Sequence, residues 1–208
     1  TSGGVGTAVL LGGHSSAPPV IASTGTGSLT VEGTGTGSNS NVAISATRLL
    51  AASGAIRVKS EEGVVTTSQT GSATPIALGS LAGTLVTSST SNVEIISNAL
   101  SLTASNGFAV NTSGTFTLEP AGDDFTSAIS YPIADLTLGA AVSGLTIGKA
   151  SSADGTNDVD VTVAGSTTIA GPITLYGAGI ALNQGLTATS SDMNLHASGA
   201  VTQSAAIN

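Results

Sequence analysis

The chain has 208 residues, including 28 glycines, three phenylalanines and two tyrosines, and it contains no cysteine and no tryptophan. It is long enough for one domain but lacks the bulky side chains of an ordinary globular core, and the absence of cysteine excludes disulfide frameworks and thiolate zinc sites. Four basic residues against twelve acidic ones give a net charge of −8, which argues against nucleic-acid binding, and no apolar run is long enough to predict membrane insertion.

Short strands separated by turns are predicted along the chain. Apolar–polar–apolar triplets are each followed within a few residues by Gly, Asn or Ser, which favour turns, whereas helical spacing of apolar residues is nearly absent. In the first two thirds the triplets lie at 29–31, 42–44, 55–58, 93–95, 100–102, 108–110 and 116–118. In the last third they lie at 161–163, 167–169, 173–175, 180–182, 186–188, 193–195 and 200–202.

The last third also repeats at a longer interval. Ile173 precedes Met193 by 20 residues, and Ile180 precedes Ala200 by the same distance. Three short strands in such a repeat are what one coil of a parallel β-solenoid requires, because each strand then stacks on its counterpart one coil later. The predicted fold is therefore all-β, a parallel β-helix (β-solenoid) with three short strands per coil of about 20–24 residues.

Two segments interrupt this pattern, near 119–135 and near 148–158, and both are predicted as inserted loops that leave the coil. The rest of the chain, 1–208, is predicted to form a single solenoid rod. Because the chain begins at Thr1 with neither an initiator methionine nor a signal-like segment, we expect it to be a fragment of a much longer protein.

Oxygen-bearing side chains cluster at the second loop. They are Asp154, Asn157, Asp158 and Asp160. Calcium prefers several oxygen ligands at such close spacing, although the distal glutamate of an EF-hand loop is missing here. Two interpretations stay open: a calcium site, or a solvated acidic loop in which Asn and Asp hold turns. No other cofactor is predicted.

The first loop carries four candidates for ligand contact. Asp123 and Asp124 offer carboxylates, whereas Phe125 and Tyr131 offer rings that contact a ligand or cover the flank of the solenoid. Parallel β-helices also host polysaccharide-cleaving enzymes, so a carbohydrate-binding or polysaccharide-cleaving β-helix is the alternative function. The four basic residues are too few to build a groove for an acidic polysaccharide, and we therefore do not expect an enzyme.

The C-terminal part of the chain resembles a known family. The segments that carry the resemblance read GPITLYGAGIALN at 171–183, LTAT at 186–189 and MNLHASGAVT at 193–202, and the N-terminal segment 28–35 reads SLTVEGTG. They resemble the repeats of filamentous haemagglutinin-type adhesins, large bacterial surface proteins that are often exported by two-partner secretion. The likeness covers about 136–208 and rests on composition and period rather than on a catalytic motif.

The resemblance implies a right-handed β-helical rod within a secreted or cell-surface bacterial protein. Such a segment acts in attachment, in biofilm formation or in an extracellular filament. The implied partners are a host-cell, glycan or matrix surface, or other copies of the chain, and an outer-membrane transporter for export. No functional residue of the family carries over to a position in this chain.

Overall fold

A computed structural model describes residues 8–12, 19–36, 40–45, 47–69, 76–104, 107–150 and 159–207. This part of the chain forms 22 strands and no α-helix. In chain order the strands are β1 (Val9–Leu11), β2 (Val20–Ser23), β3 (Leu29–Gly33), β4 (Val42–Ser45), β5 (Arg48–Ala51), β6 (Ile56–Ser60), β7 (Val64–Gln69), β8 (Ile76–Gly79), β9 (Val93–Ile96), β10 (Ala99–Ala104), β11 (Phe108–Asn111), β12 (Thr115–Glu119), β13 (Ile129–Tyr131), β14 (Leu136–Leu138), β15 (Gly144–Ile147), β16 (Val161–Val163), β17 (Thr167–Ile169), β18 (Ile173–Gly177), β19 (Ile180–Leu182), β20 (Leu186–Ala188), β21 (Met193–Ala197) and β22 (Val201–Gln203).

Every pairing between these strands is parallel and joins a strand to the one three places later in the chain. The longest sheet has seven strands in the order β21-β18-β15-β12-β9-β6-β3. The others have the orders β1-β4-β7-β10, β14-β11-β8-β5-β2, β13-β16-β19-β22 and β17-β20. The prediction of an all-β fold with parallel sheets is confirmed, and the arrangement is consistent with a β-solenoid.

The register agrees with the predicted repeat in the last third of the chain but not along all of it. Paired residues lie 37 positions apart from Ile56 to Val93 and 28 apart from Leu145 to Ile173, so the predicted repeat of about 20–24 residues is too short there, because longer segments join the strands. Ile173 lies opposite Met193, as the 20-residue interval predicts. Ile180 lies opposite Val201 rather than Ala200, because the last strand begins one residue later than predicted. The other predicted triplets of the last third coincide with strands or with parts of them.

The core lies between the sheets and is filled by alternate residues of the strands. Most of the buried hydrophobic residues form one continuous cluster of mainly Val, Ile and Leu side chains, with Phe108 and Phe116 as the largest. Leu118, Ile147, Leu175 and Leu195 lie opposite one another on four successive strands of the seven-stranded sheet. Side chains of similar size therefore stack in register along the molecule, as a narrow interior requires.

A second, smaller cluster covers the outer face of the five-stranded sheet. Leu50 and Ala77 point away from the main core, and Val86, from the segment that links β8 to β9, packs against them. All three side chains are buried. The linking segment 80–92 therefore covers a sheet face that would otherwise be apolar and exposed.

The sheets break at two places. β13 pairs with β16 but not with β10, and β17 pairs with β20 but not with β14, whereas the seven-stranded sheet runs past both breaks. Part of the segment 119–135, predicted as a loop, is in fact strand β13. Of the second predicted loop, 148–158, only residues 148–150 are described. Within the described ranges, no helix has the length and hydropathy needed to cross a membrane.

Candidate functional site

Three of the predicted ligand-contact residues lie on the segment that leads into β13, and the fourth, Tyr131, is the last residue of that strand. This segment is held by Asn98, whose side-chain oxygen accepts a hydrogen bond from the Gly122 N–H at 2.7 Å and whose carbonyl accepts one from the Thr126 N–H at 2.8 Å. Asp123 and Asp124 are partly buried. Phe125 is 5% exposed and belongs to the main core. Its ring therefore packs inside the protein and has no open face for a ligand.

Tyr131 is also buried, at 3% exposure, but it lines a cavity. Burial raises the pKa of its hydroxyl, and a side-chain hydrogen bond with Thr167 partly opposes that rise. The peptide bond from Tyr131 to Pro132 is cis. The Tyr131 carbonyl accepts the N–H groups of Ala164 and Gly165, so this corner is joined to the segment just before β17.

The cavity beside Tyr131 has a volume of about 290 Å³ and lies at the break between β14 and β17. Both strands line it, together with the segments next to them. The lining residues are Tyr131, Pro132, Leu136, Thr137, Leu138, Gly139, Ala140, Ser166, Thr167, Thr168 and Ile169. Tyr131, Leu136 and Ile169 are buried, whereas Thr137, Ser166 and Thr168 are exposed. The cavity thus has an apolar floor and a rim of hydroxyls, with no ionisable carboxylate, amine or guanidinium.

A second cavity, of about 460 Å³, adjoins the first and shares Gly139 and Ala140 with it. Its remaining lining residues are Ser80, Thr87, Ser88, Ser89, Asn111, Thr112, Ser113 and Ala141. Several of these groups bond to one another: the Ser80 hydroxyl donates to the Asn111 carbonyl at 3.0 Å. This lining is also uncharged, so the two cavities form one neutral surface.

The predicted calcium ligands are described only at Asp160, since Asp154, Asn157 and Asp158 lie outside the described residues. Asp160 is exposed, and its Oδ1 accepts the Gly179 N–H at 2.8 Å. It also lines an open cavity of about 460 Å³ beside Thr162 and Thr202. No group of three or more His, Cys, Asp or Glu side chains suited to a metal occurs among the described residues. The calcium site stays a prediction.

Charged side chains meet on the outer face of the seven-stranded sheet. Arg57 Nε lies 2.8 Å from Glu94 Oε2, and Lys59 Nζ lies 2.7 Å from Glu32 Oε1. Each pair faces across neighbouring strands in register. The hydrogen bond with Glu94 raises the pKa of the Arg57 guanidinium. These charges pair with each other and leave no bare cationic or anionic surface on those strands.

One aromatic pair on the same sheet was not predicted from the sequence. The rings of Tyr176 and His196 stack with centroids 4.6 Å apart and an interplanar angle of 12°. The two residues lie opposite each other on β18 and β21. They are separated by the same 20 residues as Ile173 and Met193, so the repeat could have predicted that the two rings lie opposite each other.

No protein-family model, no curated protein and no solved structure matches this chain.

Proposed function

We propose that the chain is a right-handed β-solenoid with three strands per coil, and that it serves as a structural and adhesive rod segment of a secreted or cell-surface bacterial protein. The proposal rests chiefly on one observation. Three strands that follow one another in the chain, such as β13, β14 and β15, are here called a strand group. The seven-stranded parallel sheet contains one strand from each successive strand group and has no break along its length. A stack of this kind transmits force from one end of the molecule to the other through backbone hydrogen bonds.

The interior supports the same role. Buried side chains of the seven-stranded sheet lie in register from β6 to β18, so that each group packs against the one before it and the one after it. In such quasi-one-dimensional proteins stability is the sum of each unit and its neighbour contacts. The rod is therefore expected to lengthen or shorten by whole groups without a change in its cross-section.

The adhesive part of the proposal depends on the resemblance to filamentous haemagglutinin-type repeats. It assigns a host-cell, glycan or matrix surface, or other copies of the chain, as the partner, and an outer-membrane transporter as the export partner. The outer faces of the described strands are rich in Ser, Thr and Asn and carry few charges, which suits a surface exposed to water on all sides.

Single-molecule pulling on the two ends of the full chain tests the rod architecture. Successive groups should peel away one at a time, because each is held mainly by its neighbour. Ile173 and Met193 are 20 residues apart, whereas Ile56 and Val93 are 37 apart, so the released lengths should differ between groups. At about 3.5 Å per residue these steps are about 70 Å and 130 Å. One rupture that releases the whole chain at once would argue against the stacked rod.

An attachment assay tests the adhesive role. Beads that carry the full chain should adhere under flow to host-cell or matrix-coated surfaces, or to one another. The control beads carry a variant with Leu175→Asp, which places an unpaired charge in the interior and should unfold the stack. Equal adhesion of the two bead types, or none by either, would contradict an adhesive function while leaving the pulling result untouched.

A further inference from the structure

The break between β14 and β17 leaves peptide groups without partners. On β17, the Thr167 N–H donates to the Gly185 carbonyl and the Ile169 carbonyl accepts from Thr189, so both residues point toward β20. Successive residues of a parallel strand direct their peptide groups to opposite sides. The N–H and carbonyl of Thr168 therefore face the break, and no hydrogen bond to them occurs within the described chain.

Strand β14, on the other side of the break, has the same arrangement. The Asp135 carbonyl accepts from the Phe108 N–H, and the Gly139 N–H donates to the Val110 carbonyl, so these peptide groups point toward β11. By alternation, Leu138 directs its N–H and carbonyl to the break. The cavity of about 290 Å³ lies at this place and is lined by Leu138 and Thr168 alike. Free donors and free acceptors thus face one small cavity from two sides.

The chemistry of the lining selects the class of ligand. With no carboxylate, amine or guanidinium among the lining residues, a charged ligand would lose its hydration without gaining a counter-charge. A hydroxyl both donates and accepts, so it can pair with a peptide N–H, with a carbonyl and with the hydroxyls of Thr137, Ser166 and Thr168. The apolar floor formed by Leu136 and Ile169 suits the C–H face of a sugar ring.

The neighbouring cavity extends this surface along the molecule. It joins the first at Gly139 and Ala140 and continues to Asn111 and Ser80, across strand groups that are stacked by parallel pairing. Four stacked groups span about 14 Å at the usual strand spacing. The joint surface, here named the β14–β17 groove, is thus long enough for more than one sugar ring.

We propose that the β14–β17 groove binds an uncharged oligosaccharide. A peptide strand suits it less well, although both walls are strand edges. The same two strand groups are paired directly through β13 with β16 and through β15 with β18, which leaves no room for a whole strand between them. Asp123 and Asp124 do not line the site, which shares only Tyr131 with the residues that the sequence suggested.

The test is a printed array of neutral and acidic oligosaccharides probed with the full chain, followed by titration calorimetry of the neutral oligosaccharides that bind. Ala140 is exposed and lines both cavities, so Ala140→Trp should fill the groove and weaken binding at least tenfold. Thr168→Val removes one rim hydroxyl and should weaken binding about two- to tenfold. Ala128→Trp is the matched control, because Ala128 is exposed and lines neither cavity.

Saturable binding of a neutral oligosaccharide that Ala140→Trp weakens and Ala128→Trp does not would support the proposal. Circular dichroism and urea midpoints establish whether each variant is folded, and if Ala140→Trp is not, Thr168→Val decides. The proposal is overturned if the array shows no binding to any neutral oligosaccharide. It is also overturned if only acidic oligosaccharides bind, or if folded Ala140→Trp and Thr168→Val bind as tightly as the parent chain. None of these results bears on the rod architecture.

Discussion

Truncation of one leucine in the stacked interior should cost far more at the middle of the stack than at its end. Leu175 is fully buried between Ile147 and Leu195, whereas Leu195 is only partly buried because no strand of the described chain pairs with the far edge of β21. Leu175→Ala removes about 2.4 kcal/mol of transfer free energy, and the cavity left behind raises the total to about 3–4 kcal/mol. Leu195→Ala leaves no closed cavity and should cost about 1 kcal/mol.

The measurement is the free energy of unfolding of each variant from urea titrations followed by circular dichroism. Thr174→Ala is the control, because Thr174 lies on the same strand with its side chain toward the outer face, and its cost should stay below about 1 kcal/mol. The reasoning is refuted if Leu195→Ala costs as much as Leu175→Ala. It is also refuted if Leu175→Ala costs no more than the control.

Three other tests have expected outcomes. Burial raises the pKa of Tyr131 above 10.0, so the unfolded chain loses the Tyr131 proton at a lower pH than the folded chain. The free energy of unfolding should therefore fall as the pH rises above 10. In pH-dependent urea titrations, Tyr131→Phe should reduce that fall. Gly171→Ala should lower the free energy of unfolding by several kcal/mol in the same assay, because a Cβ at this position would overlap the carbonyl oxygen of Ser143. A decrease below about 1 kcal/mol would mean that the backbone moves aside. A double-mutant cycle on Arg57 and Glu94, whose side chains are 48% and 30% exposed, should give a coupling of at most about 1 kcal/mol that shrinks in salt.

Much of the fold was predictable because its signals are local. Alternation of apolar and polar residues marks a strand, and the Gly, Asn or Ser that follows marks its end, so triplets such as 108–110 and 161–163 fall on observed strands. The 20-residue interval from Ile173 to Met193 also predicted the register. Strand β13 was missed because it is short and is followed directly by Pro132, which reads as a turn. Its place is decided by pairing with β16, a partner distant in the chain.

The candidate site was far less predictable. Tyr131 was singled out as a ring on a loop, yet its role depends on the break between β14 and β17, and no local pattern records which strands fail to pair. The same applies to Ala140, which is an unremarked small residue in the sequence and lines two cavities in the structure. Phe125 was also predicted as a candidate for ligand contact because it is an aromatic residue on a loop, but in the structure its ring is buried.

The two proposed roles draw on different parts of the molecule, and the reason lies in how strand edges are used. Where a strand is paired on both sides, its peptide N–H and carbonyl groups are hydrogen-bonded to the neighbouring strands, and none is left for a ligand. A small ligand therefore finds free peptide groups at an end of a sheet or at an interruption, and the β14–β17 groove is an interruption. The seven-stranded sheet runs past that interruption intact, so the backbone continuity that supports a rod does not depend on the groove. The break between β14 and β17 thus alters one sheet, while the seven-stranded sheet keeps its pairing.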